Sequence, residues 1–273
     1  MKETKKVRRN HTGALVVATL AVIVALGAGL ILGYDKLKDL YLEQCVITDM
    51  ASQVKITSGK MVPPSTIAEE LGLRPGVNLA QIDFTAKRKY LLEKIPNLRT
   101  VRITRRLPNK VIVAAEERTP VARLGLKGKG AVTGRVVDTE GMVFLWQRGT
   151  QTLPTIREST PPGTPKGQRI TNRTLAALRL IEVGREPEFL ELGILEIDVA
   201  KPDFLLATLG NYSKLKIVWS EMDEQVPSPA SLADLRDRLT KVLKAIRSRV
   251  APQTVIWNAT MPDTVFADTQ GRL

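Results

Sequence analysis

Hydrophobic and polar positions divide the chain into stretches of unlike periodicity. From Ala14 to Gly33 an apolar run carries no charged residue. At about 1.5 Å per helical residue such a run spans about 30 Å, the hydrocarbon thickness of a bilayer. It predicts a single N-terminal transmembrane helix over residues 14–34. A cleaved signal peptide is the alternative, with Ala25, Gly27 and Ala28 as small residues for cleavage, but the run is longer than the roughly 7–15 apolar residues of a signal sequence. The tail over residues 1–13 holds Lys2, Lys5, Lys6, Arg8 and Arg9 against Glu3, whereas Asp35, Lys36, Lys38 and Asp39 follow the run with mixed sign. That asymmetry predicts an N-terminus in the cytoplasm and an exported bulk. Over 35–50, Leu37, Leu40, Tyr41 and Gln44 recur on one helical face, predicting a juxtamembrane linker that prolongs the helix.

Between 51 and 122 the period changes repeatedly. Val54-Lys55-Ile56-Thr57 alternates as a short strand. Pro63-Pro64-Ser65 starts a short helix to Leu71, with Ser65 as its expected N-cap. Leu73 to Asn78 reads as a turn. Asp83 is placed to cap a second helix whose Phe84, Leu91, Leu92 and Ile95 share a face. Pro96-Asn97 ends that helix. Val101 and Ile103 then alternate with Arg102 and Thr104 in a strand, Leu107-Pro108-Asn109 turns, and Val111-Ile112-Val113 begins its partner. The order β-α-α-β-β predicts a small sheet covered on one face by two helices.

The stretch 123–268 predicts a mixed, largely antiparallel α/β domain, before a polar tail over 269–273. Gly125 to Gly130 reads as a flexible loop; it lacks the spacing and the Ser or Thr of a phosphate-binding loop. Val136 to Phe144 reads as a hairpin around Asp138-Thr139-Glu140-Gly141. Asp138 and Glu140 resemble a carboxylate pair, but turn chemistry accounts for both. Leu153 to Ile156 is a further short strand, and Thr160 to Gly167 a surface loop. A helix is predicted over Asn172 to Val183, and strands over Ile194–Val199, Phe204–Leu209 and Leu215–Trp219 as a meander. The stripe Leu232, Leu235, Leu239, Val242, Leu243 and Ile246 marks a long core helix, with Arg236, Asp237, Lys241 and Lys244 outward. Thr254–Trp257 and Thr264–Ala267 are the last strands. The fold class is therefore α+β.

Several of these pieces occur together in one known order. Val54-x-Ile56 with Gly59, Gly76-Val77-Asn78-Leu79, Pro96 with Val101-x-Ile103-x-Arg105-x-Leu107-Pro108, and Glu117-Arg118-Thr119-Pro120-Val121-Ala122 resemble a POTRA domain of the bacterial division family FtsQ/DivIB. The Val137-Asp138-x-x-Gly141-x-Val143-Phe144 run resembles the start of that family's second domain. The match there is looser: Asn258-Ala259-Thr260-Met261 stands where the family often has an Asp-Leu-Arg-Tyr-like run. The resemblance implies a non-enzymatic divisome scaffold at the septum of the cytoplasmic membrane. It would bind FtsB/DivIC-like and FtsL-like single-pass proteins among other divisome components. It also implies that a partner adds a strand near the chain's end, here over Thr260, Met261, Thr264, Val265, Phe266 and Ala267. Alternation allows Val265 and Phe266 both to fill the core and to leave a free backbone edge. A POTRA-bearing adaptor of another envelope or export assembly is the alternative, with a membrane-anchored cell-wall enzyme behind it.

Charge and side-chain chemistry sharpen this picture. The formal net charge is +13, which by itself suits nucleic acid or an anionic membrane. An exported chain does not meet nucleic acid, so no nucleic-acid partner is expected. Arg102 and Arg106 lie on the strand face opposite Val101 and Ile103. They form either a solvated outer face or a contact for anionic lipid headgroups or an acidic partner. The single histidine, His11, falls in the tail, so no exported Ser-His-Asp or Cys-His site can be assembled. A Ser-Lys dyad and a separated carboxylate pair stay formally open, without a spacing that nominates either. No catalytic residue, cofactor or metal is expected. Cys45, the single cysteine, serves either as a small apolar contact or in a bridge to another chain.

Overall fold

The computed structural model of the chain describes residues 11–126, 134–146, 149–158, 163–248 and 256–268. Helix α1 (His11–Gln44) opens it. Among the described residues no helix is long and apolar enough to cross a membrane, which overturns the transmembrane helix expected over 14–34. Hydropathy reads an uncharged run, whereas helix length follows backbone bonding. α1 does not stop where that run stops but continues through Lys36, Lys38, Asp39 and Glu43. Most of the expected basic tail lies outside the described residues.

The chain folds as two compact units. The first comprises the chain up to Thr57 with Pro64–Arg88 and Arg102–Ala114, and the second comprises Ser58–Pro63, Lys89–Val101 and the chain from Ala115 onward. A one-turn helix, α2 (Met50–Gln53), is capped by the Asp49 carboxylate, which accepts from the N–H groups of Ala51 and Ser52. Next come β1 (Val54–Thr57), α3 (Pro64–Leu71), α4 (Phe84–Lys94), β2 (Leu98–Arg106) and β3 (Lys110–Glu117). This is the β-α-α-β-β order read from the periodicity. The strands form a three-stranded sheet in the order β1-β3-β2, with β1 parallel to β3.

Local chemistry explains most of these boundaries. Asp83 caps α4, its Oδ1 accepting from Thr85 N–H at 2.9 Å and Ala86 N–H at 3.0 Å. Ser65 does not cap α3: the helix begins at Pro64, because proline lacks only an N–H that the first turn leaves free anyway. The turn at Gly76-Val77-Asn78-Leu79 has a partner that periodicity does not reveal. Ile47 N–H donates to Val77 C=O at 2.9 Å, Gly76 N–H to Ile47 C=O at 2.8 Å, and Leu79 N–H to Cys45 C=O at 2.9 Å. The end of the expected linker is thereby pinned to this turn. Cys45 and Ile47 are fully buried there, which fits the packing role of the thiol rather than a bridge to a second chain.

The second unit contains a nine-stranded sheet. Its strands are β4 (Ala122–Leu126), β5 (Arg135–Val137), β6 (Val143–Leu145), β7 (Thr155–Glu158), β8 (Glu196–Asp198), β9 (Leu205–Thr208), β10 (Lys214–Ile217), β11 (Ile256–Ala259) and β12 (Phe266–Asp268). They run in the order β12-β11-β10-β9-β8-β7-β4-β5-β6. The pairs β10·β11, β4·β7 and β7·β8 are parallel, and the other described pairs antiparallel. Helices α5 (Asn172–Gly184) and α6 (Pro229–Ser248) share one core with the row Leu124, Ile156, Ile197, Ala207, Leu215 and Trp257. Strand β4 is a correction to the loop expected from Gly125, since Gly125 and Leu126 end it. Residues 127–130 of that loop lie outside the described residues.

Candidate functional site

The residues singled out near the end of the sequence gather at one edge of the nine-stranded sheet. β12 is its terminal strand, pairing antiparallel with β11 in the register Asn258↔Phe266 and Trp257↔Ala267. Among the described residues no strand lies against the outer side of β12. Side chains alternate along it: Val265 and Ala267 pack against the core, while Phe266 is 53% exposed. Met261, in the turn between β11 and β12, is 61% exposed. Thr260 begins that turn, where its N–H and Oγ1–H both donate to Asn258 Oδ1, at 3.1 and 2.8 Å. Thr264 is exposed just before β12.

Helix α6 holds this turn in place. Arg238, 6% exposed, donates from Nη1 to the C=O of Ala259 at 3.1 Å and of Thr260 at 3.3 Å. Its Nε donates to Asp234 Oδ1 at 2.8 Å, and Asp234 Oδ2 accepts from Ser220 N–H at 2.8 Å. Burial pushes the Asp234 carboxyl up, but the hydrogen bonds from Arg238 and Ser220 outweigh it and hold it below its usual range. One turn further on, Lys241 Nζ donates to Pro262 C=O at 2.8 Å and pairs with Asp237 at 2.7 Å. The stripe reading of α6 does not reveal this clamp. The signal for it is the Asp234–Arg238 spacing of one helical turn at the border of the apolar face.

The other nominated residues lie elsewhere. Arg102 and Arg106 are exposed on β2 of the three-stranded sheet. Asp138 and Glu140 belong to a turn, as their spacing suggested: Asp138 Oδ1 accepts from the N–H groups of Glu140 at 3.0 Å and Met142 at 2.8 Å. Sequence reasoning missed what else they do. Arg118 donates from Nη1 to Asp138 Oδ2 at 2.5 Å and to Glu140 Oε2 at 3.0 Å, and from Nε to Pro96 C=O at 3.1 Å. The hydrogen bond from Arg118, then that from Arg99, holds the Glu140 carboxyl below its usual range. These carboxylates are therefore engaged as structural acceptors. Among the described residues no three His, Cys, Asp or Glu side chains gather as metal ligands would.

An exposed, one-sided strand edge with apolar side chains beside it can bind an extended segment of another chain through its backbone. Comparison with known proteins bears on the other sheet. No curated protein matches the chain. The family model of the FtsQ-type POTRA domain matches residues 51–118, about a quarter of the 273 residues. That stretch runs from within α2 to Arg118 and takes in the whole three-stranded sheet. Over residues 51–118, then, the chain carries a POTRA domain of FtsQ type, which supports the resemblance to the FtsQ/DivIB family.

Proposed function

We propose that this chain is a non-enzymatic scaffold of the bacterial divisome, which binds FtsB/DivIC-like and FtsL-like proteins and works at the division septum. The FtsQ-type POTRA domain supports a role in division through protein–protein contact. The observation that carries the partner site is the free edge of β12, with Phe266 and Met261 exposed beside it. A strand added there would satisfy the unpaired N–H and C=O groups of β12. Phe266, which points away from the core, would meet alternate side chains of the incoming segment and give selectivity. The clamp from Arg238 and Lys241 keeps this edge ordered before the partner arrives, and preorganisation lowers the entropic cost of association.

The test pairs two readouts in dividing cells. A fluorescent fusion is expected to form a midcell band before constriction. The full chain should also co-purify with an FtsB/DivIC-like protein of the same cell. Phe266→Asp should abolish the co-purification while circular dichroism and melting stay unchanged. Retained binding by that folded variant would remove the partner site from β12, and uniform envelope labelling would remove the divisome assignment itself.

A further inference from the structure

The three-stranded sheet has one face covered by helices and one face open, and the open face is basic. Val111 and Val113 of β3 are fully buried, so the alternate set on β3, Lys110, Ile112 and Ala114, faces the other way. On β1, Lys55 pairs with Ile112 and Thr57 with Ala114, which extends that face. On β2, Arg105 belongs to the helical side: its guanidinium stacks 5.0 Å from the Phe84 ring and donates to Ile82 C=O at 2.9 Å. Arg102, Thr104 and Arg106 therefore lie on the open side. Lys55, Arg102, Arg106 and Lys110 are all exposed, and no hydrogen bond or ion pair with a described residue engages them. Glu116, farther along β3 from the turn, is bonded to Thr100 at 3.1 Å.

The hairpin tip adds a second, independent feature. Leu107 is 58% exposed at the turn, between Arg106 and Lys110. A leucine at a tip, between two cations that no described residue engages, gains stability at a lipid surface. There the side chain enters the acyl boundary while the cations meet phosphates. Arg102 and Arg106, four residues apart on one strand, stand about 13 Å from each other along it. A plane of anionic headgroups presents charge at any spacing and so meets cations this far apart.

We propose that the β2–β3 hairpin docks on anionic phospholipid, with Leu107 inserted and Arg102, Arg106, Lys110 and Lys55 on the headgroups. This surface is separate from the β12 edge, so it stands or falls independently of the divisome reading.

The experiment places an environment-sensitive NBD fluorophore at Leu107→Cys in the full chain, the native Cys45 being buried beyond the reagent. Vesicles of equal parts phosphatidylglycerol and phosphatidylcholine should shift its emission to the blue and raise it. Vesicles of phosphatidylcholine alone should not. Neutralising Arg102, Arg106 and Lys110 to Gln should weaken the transition by about fivefold for each cation removed. Raising the salt to several tenths molar should weaken it as well. In the unlabelled chain, Leu107→Asp should lower sedimentation with anionic vesicles at unchanged fold. The proposal is overturned if the probe emission stays unshifted on anionic vesicles, or shifts equally on neutral ones. It is also overturned if soluble polyglutamate, and not lipid, produces the shift.

Discussion

Arg118 and Asp138 form a buried ion pair: Nη1 stands 2.5 Å from Oδ2, and the two side chains are 10% and 5% exposed. The pair joins the last residue of the POTRA match to the turn between β5 and β6. The second carboxylate oxygen of Asp138 accepts backbone N–H groups, and the guanidinium also reaches Pro96 C=O. Removing one partner from such a pair leaves the other charged and buried, which costs about 3–5 kcal/mol. Arg118→Leu and Asp138→Leu should each lower the unfolding free energy read from urea titration by an amount in that range. The double variant should cost clearly less than the sum, as a double-mutant cycle would show.

Glu140 gives the same cluster a pH dependence. Its carboxyl is lowered by the hydrogen bond from Arg118, then by that from Arg99, with burial opposing. A carboxyl lowered in the folded state adds stability that is present above its ordinary value near 4.5 and lost as pH falls through the folded value. Urea midpoints taken between about pH 5 and pH 3 should therefore fall more steeply for the native chain than for Glu140→Gln.

Glu182 on α5 works in the opposite sense. Burial pushes its carboxyl up, while Arg179 and Arg185 pull it down without cancelling that push. A raised carboxyl binds protons more tightly in the folded state, so its ionisation penalises folding once pH rises through the folded value. Glu182→Gln should raise the melting temperature at pH 7. The gain should vanish in acid, where the native side chain is already protonated.

Gly59 owes its place to Glu117. The Glu117 carboxylate accepts from Lys60 N–H at 3.1 Å, Met61 N–H at 2.9 Å and Val62 N–H at 2.7 Å, and a Cβ on Gly59 would fall on this carboxylate. Gly59→Ala should cost about 2 kcal/mol, through displacement of an acceptor that satisfies several backbone donors. In a Glu117→Ala background the same substitution should be nearly neutral, since the obstruction is gone.

Arg238 is expected to govern the order of the β12 edge. Arg238→Met strands two carbonyls and the Asp234 carboxylate, so a loss of about 3 kcal/mol is expected. Hydrogen exchange should show amides of residues 260–267 opening faster than those of α5.

Much of this architecture follows from sequence alone because it is local. The alternation of Val101 and Ile103, the stripe from Leu232 to Ile246, the Asp83 cap and the Asp138 turn each depend on neighbours a few residues away. Periodicity and side-chain chemistry specify them directly. The POTRA resemblance is legible for the same reason, since its residues recur at short, fixed spacings. Tertiary structure decided what depends on distant chain. Gly125 carries a loop signal, yet it lies in β4 because that strand pairs with β5 and β7. Cys45 and Ile47 find partners at Val77 and Leu79. Arg238 and Arg118 are buried because carbonyls and carboxylates converge on them from remote segments. The limits of α1 were likewise set by backbone bonding beyond the apolar run. A charged side chain in a sequence announces neither its burial nor its partner, because both are properties of chain segments brought together only by folding.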